Sequence, residues 1–217
     1  MSQLNLALGP SVASSARATS SWRPLLTDEA AVIARAQRGD TAAYEALMRA
    51  YQQVAFRVAF LVTHDEQEAA DAAQDAFIRA YRALGSFNVE QPFRPWLLRI
   101  VTNLAINRLR AAQRRMRAMD SYARELIAGD DRPSPDGHLA RVDQSDQLFQ
   151  AVRKLAPEEQ SLITLKYWME LPESELAEIF NVPVGTIKSR LHRTLGHLRD
   201  IIRVEFPDLS LLDWTNG

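Results

Sequence analysis

The chain has no cysteine among its 217 residues, and its four histidines are scattered without the spacing of metal ligands. The lack of thiols excludes disulfides and thiolate zinc sites, so we expect no metal and no other cofactor. No apolar run approaches the roughly 20 residues that a membrane helix needs. The apolar stretch 4–8 lacks the length and basic flank of a secretory signal. These absences predict a cytoplasmic protein without membrane insertion.

Catalytic patterns are absent as well. The sequence contains no paired acid–base site, no nucleophile elbow and no glycine-rich phosphate loop. We therefore do not expect an enzyme.

The chain also has almost no net charge, because its formal charge is −1. The signs are nevertheless separated along the sequence. Residues 65–75 carry five acids and no base, residues 99–117 carry six arginines and no acid, and residues 188–203 are basic except for Asp200. The near-neutral total thus conceals two cationic surfaces and one anionic surface.

Strand patterns are missing throughout, and helical periodicity accounts for most of the chain. Helices are predicted at residues 33–37, 44–62, 65–84, 95–117, 144–155, 157–168, 172–180 and 183–204, with Thr27 as a candidate cap of the first. Residues 129–137 are rich in Pro, Gly and Asp, which indicates a linker. We therefore predict an all-α protein of two small helical domains, residues 25–117 and 144–206, joined by a flexible linker at 118–143. Residues 1–24 are predicted to be a disordered extension, and the tail 207–217 either a frayed end or a regulatory contact.

The most informative segment is the last predicted helix, which has two different faces. Its apolar stripe consists of Ile187, Leu191, Leu195, Leu198 and Ile202. Its opposite face is small at the start and carries hydrogen-bond donors, namely Gly185, Lys188, Ser189, His192 and Arg193. Alone, this face could be a solvated basic surface. The short helix before it and the turn at Asn181 and Pro183 have helix-turn-helix spacing, which favours insertion into a DNA major groove.

Two features of the first half also admit two interpretations. Asp71, Gln74, Asp75 and Ile78 lie at i, i+3, i+4 and i+7 and therefore share a helix face. That face is either a docking surface for a basic protein or a solvated helix start favoured by the helix dipole. The loop 87–93 carries aromatics beside an arginine-rich helix, an arrangement that can stack unpaired bases while cations hold the backbone. Phe87 could instead cover the edge of the domain, and Trp96 is expected in the core.

A family resemblance covers residues 30–203. The first half contains Ala36-Gln-Arg-Gly-Asp40, Tyr44, Leu47, Ala70-Asp-Ala-Ala-Gln-Asp-Ala-Phe77 and Pro95-Trp-Leu-Leu-Arg-Ile-Val-Thr-Asn103. The second half contains Leu155-Ala-Pro-Glu158, Leu165-Lys-Tyr167, Glu175-Leu-Ala177 and Val184-Gly-Thr-Ile-Lys-Ser-Arg-Leu-His-Arg193. In order and across a linker, these motifs resemble the extracytoplasmic-function sigma factors. Those are small bacterial initiation subunits of RNA polymerase that keep only sigma domains two and four.

The resemblance implies a role for each surface. It assigns Asp71, Gln74, Asp75 and Ile78 to the clamp helices of the largest polymerase subunit, and the second domain also to the flap of the second-largest subunit. Recognition and melting of the downstream promoter element would fall to Phe87, Asn88, Phe93, Arg94, Asn103, Asn107 and Arg110. Binding of the upstream element as duplex DNA would fall to Thr186, Lys188, Ser189, Arg190, His192 and Arg193. An anti-sigma factor is the expected regulatory partner.

Some positions depart from the family pattern. Pro172 and Glu173 replace a small hydroxyl and an aromatic residue, Asn107 stands where an Asp is common, and Thr194-Leu195 replaces an alanine and a basic residue. These changes bear on promoter preference. The predicted function is a transcription initiation factor. The alternatives are a stand-alone helix-turn-helix regulator and a sigma mimic that titrates an anti-sigma factor, although such mimics carry a receiver domain.

Overall fold

The computed structural model describes Leu26 and residues 28–127, 144–207 and 209. Thr27, the N-terminal extension, residues 128–143 of the predicted linker and most of the tail lie outside this range. The described residues form eight α-helices, one short 3₁₀ turn at Leu84–Ser86 and no strand. The helices are α1 (Glu29–Gln37), α2 (Thr41–Thr63), α3 (Glu66–Ala83), α4 (Phe93–Ile127), α5 (Gln144–Arg153), α6 (Pro157–Tyr167), α7 (Glu173–Phe180) and α8 (Val184–Glu205). The all-α prediction is confirmed.

Aspartates begin the first three helices. The carboxylates of Asp28, Asp40 and Asp65 accept hydrogen bonds from the backbone N–H three residues later, at 3.1, 3.0 and 2.8 Å. Each bond satisfies a donor that the first helical turn leaves open. Asp28 is therefore the cap of α1, in place of the predicted Thr27.

Helices α1 to α4 form the N-terminal helical domain, in which α2, α3 and α4 pack against one another. Alanines line the contact side of α3 and allow the close approach of its neighbours. The hydroxyl of Tyr44 on α2 donates to the carbonyl of Phe77 on α3 at 2.5 Å, which ties the two helices together. This packing turns the opposite side of α3 to solvent.

Helix α4 is longer than predicted at both ends. It begins at Phe93 rather than at residue 95, because the buried Phe93 anchors its first turn and Pro95 needs no donor there. It continues to Ile127, into the predicted linker, since residues 118–127 contain no Pro or Gly. Phe93 and Arg94 thus belong to the helix and not to the preceding loop.

Helices α5 to α8 form the C-terminal helical domain, and α7 and α8 are joined by a tight turn. Asn181 ends α7 in the left-handed conformation (φ 53°), and Val182 N–H donates to the carbonyl of Ala177 at 3.0 Å. The inner side of α8 is close to the predicted stripe: Ile187, Leu191, Leu198 and Ile202 are buried. Leu195 is only half-buried, and its neighbour Thr194 is buried instead.

The two domains pack against each other. Helix α4 contacts α6 and α7, and α2 contacts α6. Polar contacts cross this interface between Arg94 and Glu175, Arg99 and Asn181, and Arg110 and Glu158. The ring of His64 also lies edge-on to that of Phe149, with centroids 4.6 Å apart. The chain is therefore closed, a state that the predicted linker did not indicate. Among the described residues, no helix has the length and apolar character to span a membrane.

Candidate functional site

The four residues of the predicted acidic face lie together on the outer side of α3. The side chains of Asp71 and Asp75 are 45% and 48% exposed, Ile78 is 43% exposed, and Gln74 is exposed. Asp71 and Asp75 are one helical turn apart, and Ile78 continues the same face. This surface presents carboxylate oxygens, an amide and one apolar side chain to solvent, a combination suited to a basic partner. We call it the acidic face.

An arginine that no local sequence pattern marks lies beneath the acidic face and contacts its carboxylates. Arg108 on α4 places Nη1 2.8 Å from Oε2 of Glu68 and 3.4 Å from Oδ2 of Asp71, and Nη2 2.9 Å from Oδ2 of Asp75. Arg115 adds a contact to Glu68 at 3.0 Å. The hydrogen bond from Arg108 is the main cause that lowers the pKa of Glu68 below its ordinary value, although burial acts the other way. Only the fold reveals this contact, because Arg108 is 33 or more residues away from its three partners.

The aromatics of the loop and of the start of α4 point inwards. Phe93 is fully buried and Phe87 is 7% exposed. Their ring centroids are 5.7 Å apart, and Trp96 lies 4.7 Å from Phe87 and 5.4 Å from Phe93. Gln37 fastens the segment by donating to the carbonyls of Leu84 and Phe87 at 2.9 and 2.7 Å. In this structure Phe87 and Phe93 do not face outwards, since the three rings bury one another, and this favours the alternative in which Phe87 covers the edge of the domain. The role of both residues in promoter melting stays a prediction.

The polar residues predicted for the same role divide into two groups. Asn88, Asn103 and Asn107 are exposed on the N-terminal domain. Arg94 and Arg110 instead form ion pairs with the C-terminal domain. Nε of Arg94 lies 3.1 Å from Oε1 of Glu175, with side chains only 21% and 14% exposed, and Arg110 pairs with Glu158. In this closed state neither arginine presents its guanidinium freely to DNA.

The surroundings of Glu175 disfavour its charged form. Burial is the main cause that raises the pKa of Glu175 above its ordinary value, and the cation of Arg94 opposes the rise. The Arg94–Glu175 pair is thus held in a partly desolvated interface, where its members depend on each other.

The outer side of α8 carries the residues that are predicted to bind upstream DNA, and we call it the recognition face. Gly185, Lys188, Ser189, His192 and Arg193 are exposed, and Thr186 and Arg190 are half-buried. The Ser189 hydroxyl donates to the carbonyl of Thr186 at 3.0 Å, and Nζ of Lys188 lies 3.8 Å from Oε2 of Glu173. Added atoms at Gly185 would meet nothing within 4 Å, so a ligand can approach the backbone there. The helix therefore offers three cations and two hydroxyls on one accessible side.

Two family models match the chain. Sigma-70 region 2 matches residues 47–115, which lie within α2 to α4. Sigma-70, region 4 matches residues 145–198, from α5 to most of α8. The acidic face lies within the first match and the recognition face within the second.

Relatives resemble the chain over most of its length. It is 36% identical to the RNA polymerase sigma-H factor of Pseudomonas aeruginosa, over 75% of this chain and 87% of that protein. It is 33% identical to the sigma factor SigW of Bacillus subtilis, over 79% and 95% of the two chains. It is 34% identical to the sigma-E factor of Escherichia coli K12, over 77% and 90%.

Solved structures share the fold. One is CnrH in complex with the cytosolic domain of CnrY, with a TM-score of 0.56 and 20% identity over 82% of this chain and 98% of that one. Another is the sigma factor RpoE bound to the anti-sigma factor NepR from Bartonella quintana, with a TM-score of 0.51 and 22% identity over 75% and 98%. With the two matched regions and relatives above 30% identity, the chain belongs to the extracytoplasmic-function sigma factors of the sigma-70 family, transcription initiation factors that bind core RNA polymerase and direct it to promoters.

Proposed function

We propose that this sigma factor divides its work between the acidic face on α3, which docks on core polymerase, and the recognition face on α8, which anchors the upstream promoter element. The observation that carries the proposal is the presence of both exposed surfaces, of opposite charge, on one chain. A stand-alone DNA-binding regulator has no need of the acidic face. The proposal extends to the predicted domain limits, 25–117 and 144–206, and to a cytoplasmic location.

Docking through the acidic face follows from its chemistry. Asp71 and Asp75 offer carboxylate oxygens, Gln74 offers both a donor and an acceptor, and Ile78 supplies an apolar contact among them. The complementary surface is basic with a small apolar centre, as the family resemblance assigns to the clamp helices of the largest polymerase subunit. The flap of the second-largest subunit would bind the C-terminal domain.

Upstream binding rests on the cations and hydroxyls of α8. We assign phosphate or guanine contacts to Lys188, Arg190 and Arg193, and close approach to Thr186 and Ser189, with His192 on the same side. If about five phosphates are neutralised, the logarithm of DNA affinity should fall with the logarithm of salt concentration at a slope of about −4 to −5.

The downstream element would meet the exposed Asn88, Asn103 and Asn107. Arg94 and Arg110 can join them only after their ion pairs with Glu175 and Glu158 have broken, so their contribution requires the two domains to separate. Phe87 and Phe93 would act as the packed base of this surface. Because two proteins of the same fold were solved with CnrY and with the anti-sigma factor NepR, we also propose an anti-sigma factor as a partner of this chain.

Run-off transcription with core polymerase tests the proposal. Combining Asp71→Asn, Gln74→Ala and Asp75→Asn should weaken core binding by at least about tenfold, as the loss of a central contact cluster does. Asp200→Asn is the matched control, since this acid is exposed and lies on α8, in the other domain. If the triple variant binds core polymerase as tightly as the control does, the docking assignment is wrong. Tight specific binding of the free chain to duplex DNA, without initiation by any holoenzyme, would favour a stand-alone regulator.

A further inference from the structure

Arg108 occupies the centre of the acidic face without belonging to its exposed surface. Its guanidinium contacts three carboxylates from three successive turns of α3, those of Glu68, Asp71 and Asp75, between 2.8 and 3.4 Å. Its own side chain is only 26% exposed, whereas Asp71 and Asp75 remain 45% and 48% exposed. The arginine therefore lies beneath the two aspartates and leaves them open to a partner.

Arg108 contacts the same carboxylate oxygen, Oδ2, in both aspartates, and a different residue contacts the other oxygen of Asp71. Arg108 engages Oδ2 of both Asp71 and Asp75, and Nε2 of Gln67 lies 3.3 Å from Oδ1 of Asp71. Two carboxylates at i and i+4 repel each other, and an isolated pair would turn apart. A guanidinium is planar and has donors in fixed directions, so it can hold both groups in one orientation.

We infer that Arg108 is a positioning residue for the docking of core polymerase: it orders Asp71 and Asp75 before the partner arrives and does not itself touch the partner. This inference rests on the proposed docking function of the acidic face. A group that is already ordered loses less freedom on binding, so the fixed carboxylates should bind basic side chains more tightly than mobile ones.

A model based on net charge alone predicts the opposite effect of removing Arg108 on the affinity for core polymerase. Arg108 reduces the net negative charge of the acidic face, so its removal should strengthen the attraction of a basic partner if only the net charge mattered. The effect of neutralising Arg108 on core affinity therefore distinguishes positioning from simple charge balance.

The experiment measures the dissociation constant of the full chain for core RNA polymerase, by competition with a labelled sigma factor. Arg108→Gln should raise it about five- to tenfold. Arg115→Gln is the matched control, because it removes the same charge from a 61% exposed arginine that contacts Glu68 but neither aspartate. Its dissociation constant should stay within about twofold of the parent value. If Arg108→Gln binds core polymerase as tightly as the parent or more tightly, the inference is overturned.

A conservative variant covers the case in which Arg108→Gln melts at a lower temperature. Arg108→Lys keeps the charge but has no fork of donors, so it should still bind about threefold more weakly than the parent. If neither Arg108→Lys nor the folded fraction of Arg108→Gln binds core polymerase more weakly than the parent, the positioning role is wrong.

A double-variant cycle separates this inference from the proposed function. In a chain that carries Asp71→Asn and Asp75→Asn, Arg108→Gln should have little further effect, because the groups it orders have lost their charge. If the two Asn substitutions alone leave core affinity unchanged, the docking face itself is wrong. If they weaken binding and Arg108→Gln does not, only the positioning role fails.

Discussion

The ion pair between Arg94 and Glu175 offers the sharpest test of the closed arrangement. It links the first turn of α4 to α7, and both side chains are mostly buried, with 21% and 14% exposed. Oε1 of Glu175 and Nε of Arg94 are 3.1 Å apart but not aligned as a hydrogen bond. We predict that Arg94→Met lowers the free energy of unfolding more than Glu175→Gln does.

The magnitudes follow from what each variant leaves behind. Arg94→Met strands a buried carboxylate, a change that typically costs about 3–5 kcal/mol. Glu175 can escape part of this cost by taking a proton, since burial already raises its pKa, so we expect about 2–3 kcal/mol at pH 7. Glu175→Gln leaves Arg94 near Tyr51, whose hydroxyl donates to Glu29, and should cost about 1 kcal/mol.

The pH dependence has a definite sign. A carboxyl group whose pKa is raised in the folded state favours folding when it is protonated, so the folded state gains stability as the pH falls toward that pKa. Loss of the Arg94 cation raises the pKa of Glu175 further, so the deficit of Arg94→Met should shrink as the pH falls below 7. Glu175→Gln has no such group and should show no matching recovery.

Urea unfolding measures the stability of both variants and of the double variant, which should lie within about 1 kcal/mol of the parent because neither Arg94 nor Glu175 is then left as a buried charge without the other. Domain separation is followed in parallel by energy transfer between dyes. The chain has no cysteine, so Glu45→Cys and Arg203→Cys give two unique exposed labelling sites, one in each domain. The reasoning is refuted if Glu175→Gln costs as much as Arg94→Met, or if the double variant is the least stable of the three.

Three further predictions concern other parts of the molecule. Burial and then the charge of Arg153 lower the pKa of His64 from 6.5 to about 4, while the nearby Gln160 side chain acts in the opposite direction. The folded state therefore favours neutral His64, and the stability that this preference contributes is fully present above pH 6.5. This contribution, on the order of 3 kcal/mol, is lost as the pH falls toward 4. Asn tolerates the left-handed backbone at this position (φ 57°), so His64→Asn removes the titrating group without backbone strain. In urea titrations its free energy of unfolding should fall less than that of the parent between pH 6.5 and pH 4. Parallel pH profiles for the two proteins would contradict this prediction. Lys188→Ala should make the salt slope of upstream DNA binding less steep by about 1, as measured by fluorescence anisotropy. Arg203→Ala, at the far end of α8, is the control and should leave the slope unchanged. Phe93→Ala should destabilise the N-terminal domain by about 3–5 kcal/mol in thermal or urea unfolding, since its ring is fully buried; a loss below about 1 kcal/mol would mean that the ring is exposed.

Periodic features were predictable from the sequence because they depend on neighbours one or two turns away. All eight helices of the described residues occur where apolar spacing predicted them, and the buried stripe of α8 agrees at four of its five positions. Leu195 is the exception, because Thr194 occupies the buried position beside it. The acidic face was predictable for the same reason, since Asp71, Asp75 and Ile78 share one side of a regular helix.

The packing of the aromatic loop could not be predicted from the sequence, because local composition does not say where a ring finds its partners. Phe87 looks like a loop aromatic beside arginines, and nothing within a few residues distinguishes a base-stacking ring from one that closes the core. The distinction depends on Trp96, which turns toward Phe87 and Phe93 from the second turn of α4, and on Gln37, fifty residues away, which fixes the carbonyl of Phe87.

The cross-domain contacts could not be predicted for a related reason. Glu158 and Glu175 lie in the first turns of α6 and α7, where acids are already favoured by the helix dipole and so carry no visible sign of a distant partner. The arginines they bind, Arg110 and Arg94, come from or adjoin the segment that the sequence presents as a continuous basic surface. Under the proposed downstream role, the same arginines would bind two kinds of anion, a carboxylate in the closed chain and a phosphate in a promoter complex. The contact to the carboxylate would have to break before the contact to the phosphate could form. Any DNA contact by Arg94 therefore carries the free-energy cost of leaving Glu175 without its cation. That cost is set by the burial of Glu175 and not by the number of arginines in the sequence.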